Sequence, residues 1–96
     1  MPKGYWVSAY HSVSDQDKVN EYAKLAGPAI AEGGGKFLAR GVAAHVYEAG
    51  MKQRTVILEF PSVEAAVATH DSPGYQAALK ALAGACVRDL RIIEGM

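Results

Sequence analysis

The stretch that decides the fold is Arg54-Thr55-Val56-Ile57-Leu58-Glu59-Phe60, in which β-branched and aromatic residues are interrupted by one carboxylate. A nearly unbroken apolar run of this kind predicts a central strand that is buried on both faces. Pro61-Ser62 follows directly, and a serine in this place caps a helix by accepting hydrogen bonds from its first backbone N–H groups. The stretch therefore predicts a buried strand that leads straight into a helix.

Towards the N-terminus, residues 49–53 predict a turn that joins this strand to another over residues 36–48. An isolated glycine inside a strand is typical of a bulge, so Gly41 predicts one. Glu48 and Arg54 are expected to face each other across the hairpin as opposite charges. Gly33-Gly34-Gly35 predicts the end of a helix, and a phosphate loop is not expected because it needs a strand before it and a helix after it.

The first third of the chain predicts a strand and a helix. Residues 4–11 are aromatic and rich in strand formers, which predicts strand one. Ser14 is expected to cap the helix that follows. Gly27-Pro28 is expected to end that helix near Ala26, with one extra turn after it, because proline lacks an N–H donor and clashes with the preceding turn. The apolar positions recur at helical spacing: Val19, Tyr22, Ala23, Ala26 and Ile30.

The last third predicts a helical region that begins at Ser62 and restarts at Ser72-Pro73, with Ser72 as the second cap. Gly84 predicts its end, and residues 87–94 predict the final strand. The order is β-α-β-β-α-β, an α+β ferredoxin-like plan with an antiparallel four-stranded sheet and helices on one face. Right-handed crossovers place strands one and three in the middle of that sheet.

Strand one predicts a homodimer, because it carries apolar side chains on both faces. Tyr5, Val7 and Ala9 alternate with Trp6 and Tyr10. The helices cover only one face of the sheet, so a second copy of the chain is expected to cover the other.

Composition bounds the class of protein and its partners. The 96 residues predict a single domain over 1–96. Ten basic and ten acidic residues balance, so neither nucleic acid nor an anionic membrane is an expected partner. The single cysteine, Cys86, forms no internal disulfide, and the first residues show no signal-peptide pattern; both features predict a cytoplasmic location.

Six short stretches are spread over nearly the whole chain: Gly4-Tyr5-Trp6, Gly27-Pro28-Ala29, Gly34-Gly35-Lys36-Phe37-Leu38-Ala39-Arg40-Gly41, Ile57-Leu58-Glu59-Phe60-Pro61-Ser62, Ser72-Pro73-Gly74-Tyr75-Gln76 and Glu94-Gly95. In the order and spacing of these stretches the sequence resembles the domain of unknown function 1330 family, within the dimeric α/β-barrel superfamily. The resemblance implies a ferredoxin-like subunit whose sheet packs against its twin to form a barrel. It implies no single activity, since the wider superfamily includes cofactor-free monooxygenases, small isomerases and haem-binding proteins.

Glu59 is the first candidate site residue, because a carboxylate within a buried run must be paired, protonated or open to a wet cleft. A bulge at Gly41 would place Arg40 on the same face as Glu59. The sequence therefore predicts an Arg40–Glu59 pair at the edge of a ligand cleft, where it either fixes the strand register or contacts the ligand.

Four more residues are candidates for the lining of that cleft. Trp6 either stacks on a planar ligand or packs in the core or dimer contact. Ser72 is either a helix cap or a ligand contact, and Tyr75 either packs its ring or reaches into the cleft with its hydroxyl. His45 is either a general base or a solvent-facing strand residue.

Neither a metal nor another cofactor is expected. His11, His45 and His70 lie far apart in the sequence and lack metal-ligand spacing. Cys86 follows a helix end, where a reactive thiolate is not favoured.

Three function classes remain open from the sequence. The first is a dimeric barrel that binds a small organic molecule in a cleft. The second is a cofactor-independent enzyme, an oxygenase or isomerase, on a small aromatic or carbonyl substrate, with Arg40, Glu59 and Tyr75 as its catalytic residues. The third is a purely structural or partner-binding role.

Overall fold

The computed structural model describes residues 2–96, which form four strands and three helices. The sheet is antiparallel with the strand order β2-β3-β1-β4, which confirms the ferredoxin-like α+β plan with strands one and three in the middle. No helix in this part of the chain is both long and apolar enough to cross a membrane. The elements are β1 Gly4–Val13, α1 Gln16–Glu32, β2 Lys36–Val42, β3 Arg54–Phe60, α2 Val63–Asp71, α3 Pro73–Leu82 and β4 Cys86–Glu94.

The two faces of the sheet differ in cover. The inner face packs against the helices and carries the buried side chains of β1 and β3, whereas no helix of residues 2–96 covers the outer face. On β3, Val56, Leu58 and Phe60 are buried on the inner face, while Ile57 and Glu59 on the outer face remain partly exposed. The prediction that β3 is buried on both faces is therefore wrong for the single chain, although the strand is central.

The first helix begins and ends differently from the prediction. Asp15, not Ser14, caps α1, and its carboxylate accepts hydrogen bonds from the backbone N–H groups of Asp17 and Lys18. Ser14 instead donates its hydroxyl to the carbonyl of Ala85 at 3.0 Å. The expected end near Ala26 is also wrong.

The helix continues through Pro28 to Glu32. Pro28 lies on the exposed side of α1, as does Lys24, whose carbonyl loses its helical hydrogen bond; water can satisfy that carbonyl there. On the opposite side of the helix, Tyr22, Ala26 and Ile30 are buried in the core, so the helix packs on the core both before and after Pro28.

The second strand is shorter than predicted and its irregularity lies elsewhere. β2 ends at Val42, which pairs with Arg54, and Glu48 lies in the loop that follows with a positive φ of 53°. The register shift falls between Phe37 and Ala39, so the predicted bulge at Gly41 and the Glu48–Arg54 pair are both wrong. The extra residue turns Phe37 and Arg40 to the inner face.

The caps of the later helices follow the sequence. The Ser62 hydroxyl accepts from the N–H of Ala65 at 3.1 Å, and the Ser72 hydroxyl accepts from the N–H of Tyr75 at 3.3 Å. Helix α3 ends where Ala83 and Gly84 adopt the left-handed conformation, with φ values of 48° and 73°.

Candidate functional site

A cavity lies between α1 and the inner face of the sheet, and we call it the α1 cavity. Its volume is about 70 Å³, counted as space open to the centres of water molecules. One water needs roughly 10–15 Å³ by this measure, so the space admits several waters or a small ligand. The polar groups in its wall are Ser8, Tyr10, Tyr22, Arg40, Arg54 and Arg88, and the apolar ones include Trp6, Val19, Ala23, Ala26, Ile30, Phe37, Val56 and Leu58.

Strand register explains why these side chains meet. On the inner face, Tyr10 of β1 pairs with Arg88 of β4, while Ser8 pairs with Val56 of β3. Val56 in turn pairs with Arg40 of β2. Alternate residues of neighbouring strands thus form rows across the sheet, and α1 covers these rows from above.

The Arg88 cluster consists of Arg88 and the hydroxyl residues Ser8, Tyr10, Tyr22 and Tyr75. One terminal nitrogen of Arg88, Nη1, donates to Ser8 Oγ at 3.3 Å, Tyr10 OH at 3.3 Å and Tyr22 OH at 3.2 Å. The other, Nη2, donates to Tyr75 OH at 3.0 Å. The Tyr22 and Tyr75 hydroxyls are themselves 2.6 Å apart, so the cluster joins β1, α1, α3 and β4.

Burial favours the protonated form of two tyrosine hydroxyls in the cluster. Burial raises the pKa of Tyr75 well above its ordinary value of 10.0, and burial also raises the pKa of Tyr10. Burial alone would lower the pKa of Arg88, but its interactions with Tyr22 and Tyr75 outweigh that effect and leave the pKa raised. At neutral pH Tyr10 and Tyr75 therefore keep their protons beside the guanidinium cation of Arg88.

Aromatic packing holds the cluster from behind. The Trp6 ring stacks on Phe60 with centroids 5.8 Å apart and meets the edge of Tyr75 at 5.0 Å. Tyr75 also packs edge-on against Tyr22 at 5.9 Å. Trp6 and Tyr75 are almost fully buried, so their rings are held in one position.

The predicted Arg40–Glu59 pair is wrong, because the two residues lie on opposite faces of the sheet. Arg40 pairs with Val56 and lines the α1 cavity, and its guanidinium lies 4.8 Å from the centre of the Phe37 ring. Glu59 points to the outer face, where its carboxylate accepts from Lys3 Nζ at 3.0 Å and from Tyr5 OH at 3.3 Å. The cause is the register shift before Ala39.

The other predicted residues divide between the cavity and other surfaces. Trp6 lines the cavity. Tyr75 does not line it, but its hydroxyl contacts Tyr22 and Arg88, which do. Ser72 serves as the α3 cap and borders a groove between the helices, away from the cavity. His45 is exposed in the loop after β2, beside a shallow depression that it shares with Arg40.

Each of the remaining histidines lies beside one carboxylate. His11 Nε2 lies 3.0 Å from Asp89, and His70 Nδ1 lies 3.0 Å from Asp71. Among residues 2–96, no group of three or more His, Cys, Asp or Glu side chains converges as a metal site would require.

Sequence reasoning missed Arg88 and the roles of the Tyr10 and Tyr22 hydroxyls. The sequence does contain a signal for Arg88: it lies two residues before Leu90 and four before Ile92, on the same face of β4. A charged residue on the apolar face of a strand predicts a charge on the buried side of the sheet. Tyr22 occupies an apolar position of α1 in the same way, and its hydroxyl needs a partner when it is buried.

The family model for the Domain of unknown function (DUF1330) matches residues 3–96. The chain belongs to the DUF1330 family. No protein with a curated description matches the sequence.

Solved structures of low sequence identity share the fold of this DUF1330 chain. A protein of unknown function from Rhodopseudomonas palustris is 22% identical with a TM-score of 0.71, and the match covers 97% of this chain and 80% of that one. A dimeric ferredoxin-like protein of unknown function from Jannaschia sp. CCS1 is 15% identical with a TM-score of 0.71, with 98% of each chain covered. SnoaB, a cofactor-independent oxygenase from Streptomyces nogalater, is 12% identical with a TM-score of 0.62, with 100% and 95% covered.

Proposed function

We propose that this chain is a homodimeric α/β barrel that binds a small organic molecule in the α1 cavity. The observation that carries the binding role is the cavity itself: an apolar recess with a few polar groups that converge from several elements is the usual form of a small-molecule site. Trp6, Phe37 and Leu58 supply apolar wall, and the Arg88 cluster supplies polar groups at one end.

The dimer is supported by the outer face of the sheet. Ile93 is 60% exposed there, and Tyr5, Val7 and Ile57 remain only partly covered. A contiguous apolar surface of this kind on a sheet favours association. The Jannaschia protein of the same fold is described as dimeric, which agrees with this proposal.

Sedimentation or native mass spectrometry at micromolar concentration tests the dimer. The unchanged chain is expected at twice the mass of one copy. Ile57→Lys is expected to give single copies, because it puts a charge in the centre of the outer face, whereas Val67→Lys on the exposed side of α2 keeps the dimer. Single copies of the unchanged chain would contradict the proposal.

Fluorescence of Trp6 tests ligand binding, because it is the only tryptophan and lines the α1 cavity. The probes are benzoate, benzamide and benzaldehyde. A saturable change with at least one probe is expected. Ala23→Phe, which narrows the cavity, should abolish it, and Ala31→Phe on the exposed side of the same helix should leave it unchanged. Loss of the response in both variants, or in neither, would count against the cavity as the site.

A second candidate is a cofactor-independent reaction on a small aromatic or carbonyl compound. The observation that favours it is the Arg88 cluster, since donors that converge in an enclosed site polarise a carbonyl or enol oxygen. The raised pKa of Tyr75 makes this hydroxyl a donor and not a base at neutral pH, and Glu59 faces away from the cavity. Oxygen uptake with dihydroxynaphthalene tests this candidate: it should require Arg88, and equal uptake by Arg88→Met would contradict it.

A further inference from the structure

Arg88 is a largely buried cation whose hydrogen-bond partners are all neutral. Within residues 2–96 it donates to four hydroxyl oxygens, those of Ser8, Tyr10, Tyr22 and Tyr75, and forms no ion pair. The Tyr10 and Tyr22 rings also lie 5.5 Å and 4.8 Å from its guanidinium carbon, which adds cation–π attraction. These groups solvate the charge, but they do not neutralise it.

The wall of the α1 cavity repeats this imbalance. Arg40 and Arg54 line the cavity together with Arg88, while no described residue of the wall is acidic. Neither Arg40 nor Arg54 takes part in a salt bridge within residues 2–96. Three positive charges thus border the cavity, and no described residue of its wall supplies a counter-charge. Arg40 is exposed and Arg54 is partly exposed, so water solvates both, and the cost of desolvation falls mainly on Arg88.

Hydroxyl protons point to the same kind of ligand. Each hydroxyl of the cluster accepts from Arg88 and still has its own proton to donate. One proton lies between Tyr22 and Tyr75, which are 2.6 Å apart. The hydroxyl protons of Ser8 and Tyr10 have no acceptor among the side chains and backbone of residues 2–96. The cluster therefore has more hydrogen-bond donors than acceptors, and a ligand with acceptor oxygens would complement it.

The geometry points to a small organic anion as the ligand: an apolar, planar body against Trp6 and Leu58, and a carboxylate held by Arg88 and the neighbouring hydroxyls. This inference rests on the proposed binding function and specifies its ligand class. A carboxylate has the oxygen acceptors that a guanidinium and several hydroxyls can share. Arg40, near the exposed Phe37 at the β2 side of the cavity, is placed to attract the anion as it enters.

The test compares benzoate with benzamide and benzyl alcohol, which share the ring and lack the negative charge, by the fluorescence of Trp6. Benzoate is expected to bind at least tenfold more tightly than either neutral compound. Arg88→Met should weaken benzoate binding at least tenfold and remove this preference. Arg91→Met is the matched control, because Arg91 lies on the outer face of the same strand, and it should change neither affinity.

Each outcome separates this inference from the binding proposal. Equal affinity for benzoate and benzamide would overturn the anion inference and leave the binding function standing. No response to any of the probes would overturn both. Where Arg88→Met fails to fold, Arg40→Gln and Arg54→Gln replace it: each should weaken benzoate binding more than benzamide binding, and an equal effect on both would overturn the inference.

Discussion

The two faces of the sheet handle charge in opposite ways. On the outer face of the single chain, arginine, lysine and histidine meet carboxylates at side chains that remain partly exposed: Arg91 lies 3.3 Å from Asp89, and Lys3 lies 3.0 Å from Glu59. On the inner face, Arg88 of the same strand as Arg91 meets only hydroxyls within the described chain. The outer pairs are ordinary surface contacts, whereas the inner arrangement keeps a cation available.

This difference has an energetic meaning. Exposed ion pairs contribute little to folding, because water screens them and long side chains lose freedom when they pair. A buried cation held by neutral hydroxyls is maintained at a cost in desolvation, which the packed rings around it help to offset. Within the single chain, the stabilising contacts are therefore those of the packed side chains on the inner face, which also surround the candidate site.

Leu58→Ala should show the largest loss of stability. Leu58 is 1% exposed on the inner face, and its truncation leaves a cavity among Trp6 and its neighbours. We expect the free energy of unfolding to fall by about 2–5 kcal/mol, measured by urea denaturation followed by circular dichroism. Leu25→Ala, at a position that is 44% exposed on α1, is the matched control and should change stability by less than about 0.5 kcal/mol. Equal losses in the two variants would remove the contrast between core and surface.

Tyr75→Phe should have the second largest effect. It keeps the ring and removes the hydroxyl that contacts Tyr22 and Arg88, so a buried donor of Arg88 loses its partner. A loss of about 1–3 kcal/mol is expected from urea denaturation. Tyr47→Phe, at a side chain that is 79% exposed, should leave the free energy of unfolding unchanged.

The free energy of unfolding above pH 10 provides a second test of Tyr75. Because burial raises the pKa of Tyr75 above 10.0 in the folded state, its contribution is complete below pH 10. The contribution is lost as pH rises further, since the unfolded tyrosine gives up its proton first. Tyr75→Phe should therefore lose stability less steeply above pH 10 than the unchanged chain, and parallel curves would contradict the assigned burial.

Much of the fold follows from local signals. Ser62 and Ser72 cap their helices as expected because capping depends on a few neighbouring residues. The alternation of Trp6 with Val7 along β1 likewise shows which side chains share a face. The predicted end of α1 near Ala26 was wrong, because packing of the opposite side of the helix outweighs the one hydrogen bond that Pro28 removes.

Only part of the candidate site could be predicted from the sequence, because the rest depends on contacts between distant parts of the chain. Trp6 and Arg40 were expected at a cleft and line the cavity. The expected partner of Arg40 was wrong because the register shift before Ala39 is set by pairing with β3, and no glycine or proline marks it. The Arg88 cluster forms because residues from β1, α1, α3 and β4 come together in the folded chain. The spacing of these residues along the sequence does not indicate that they are in contact.

Glu59→Gln should have the smallest effect on the single chain, because the carboxylate and Lys3 both remain partly exposed there. The hydrogen bond and charge of Lys3 lower the pKa of Glu59 below its ordinary value of 4.5, so the pair stabilises the folded state above that pH. Its contribution is lost as pH falls further, since the unfolded chain takes up the proton first. Denaturation between pH 3 and pH 7 should show a shallower acid decline for Glu59→Gln, and the same flattening for Lys3→Met. The double variant should add nothing to either single change, because both remove the same interaction; fully additive effects would mean that Glu59 acts through another group, and would reopen its role on the outer face.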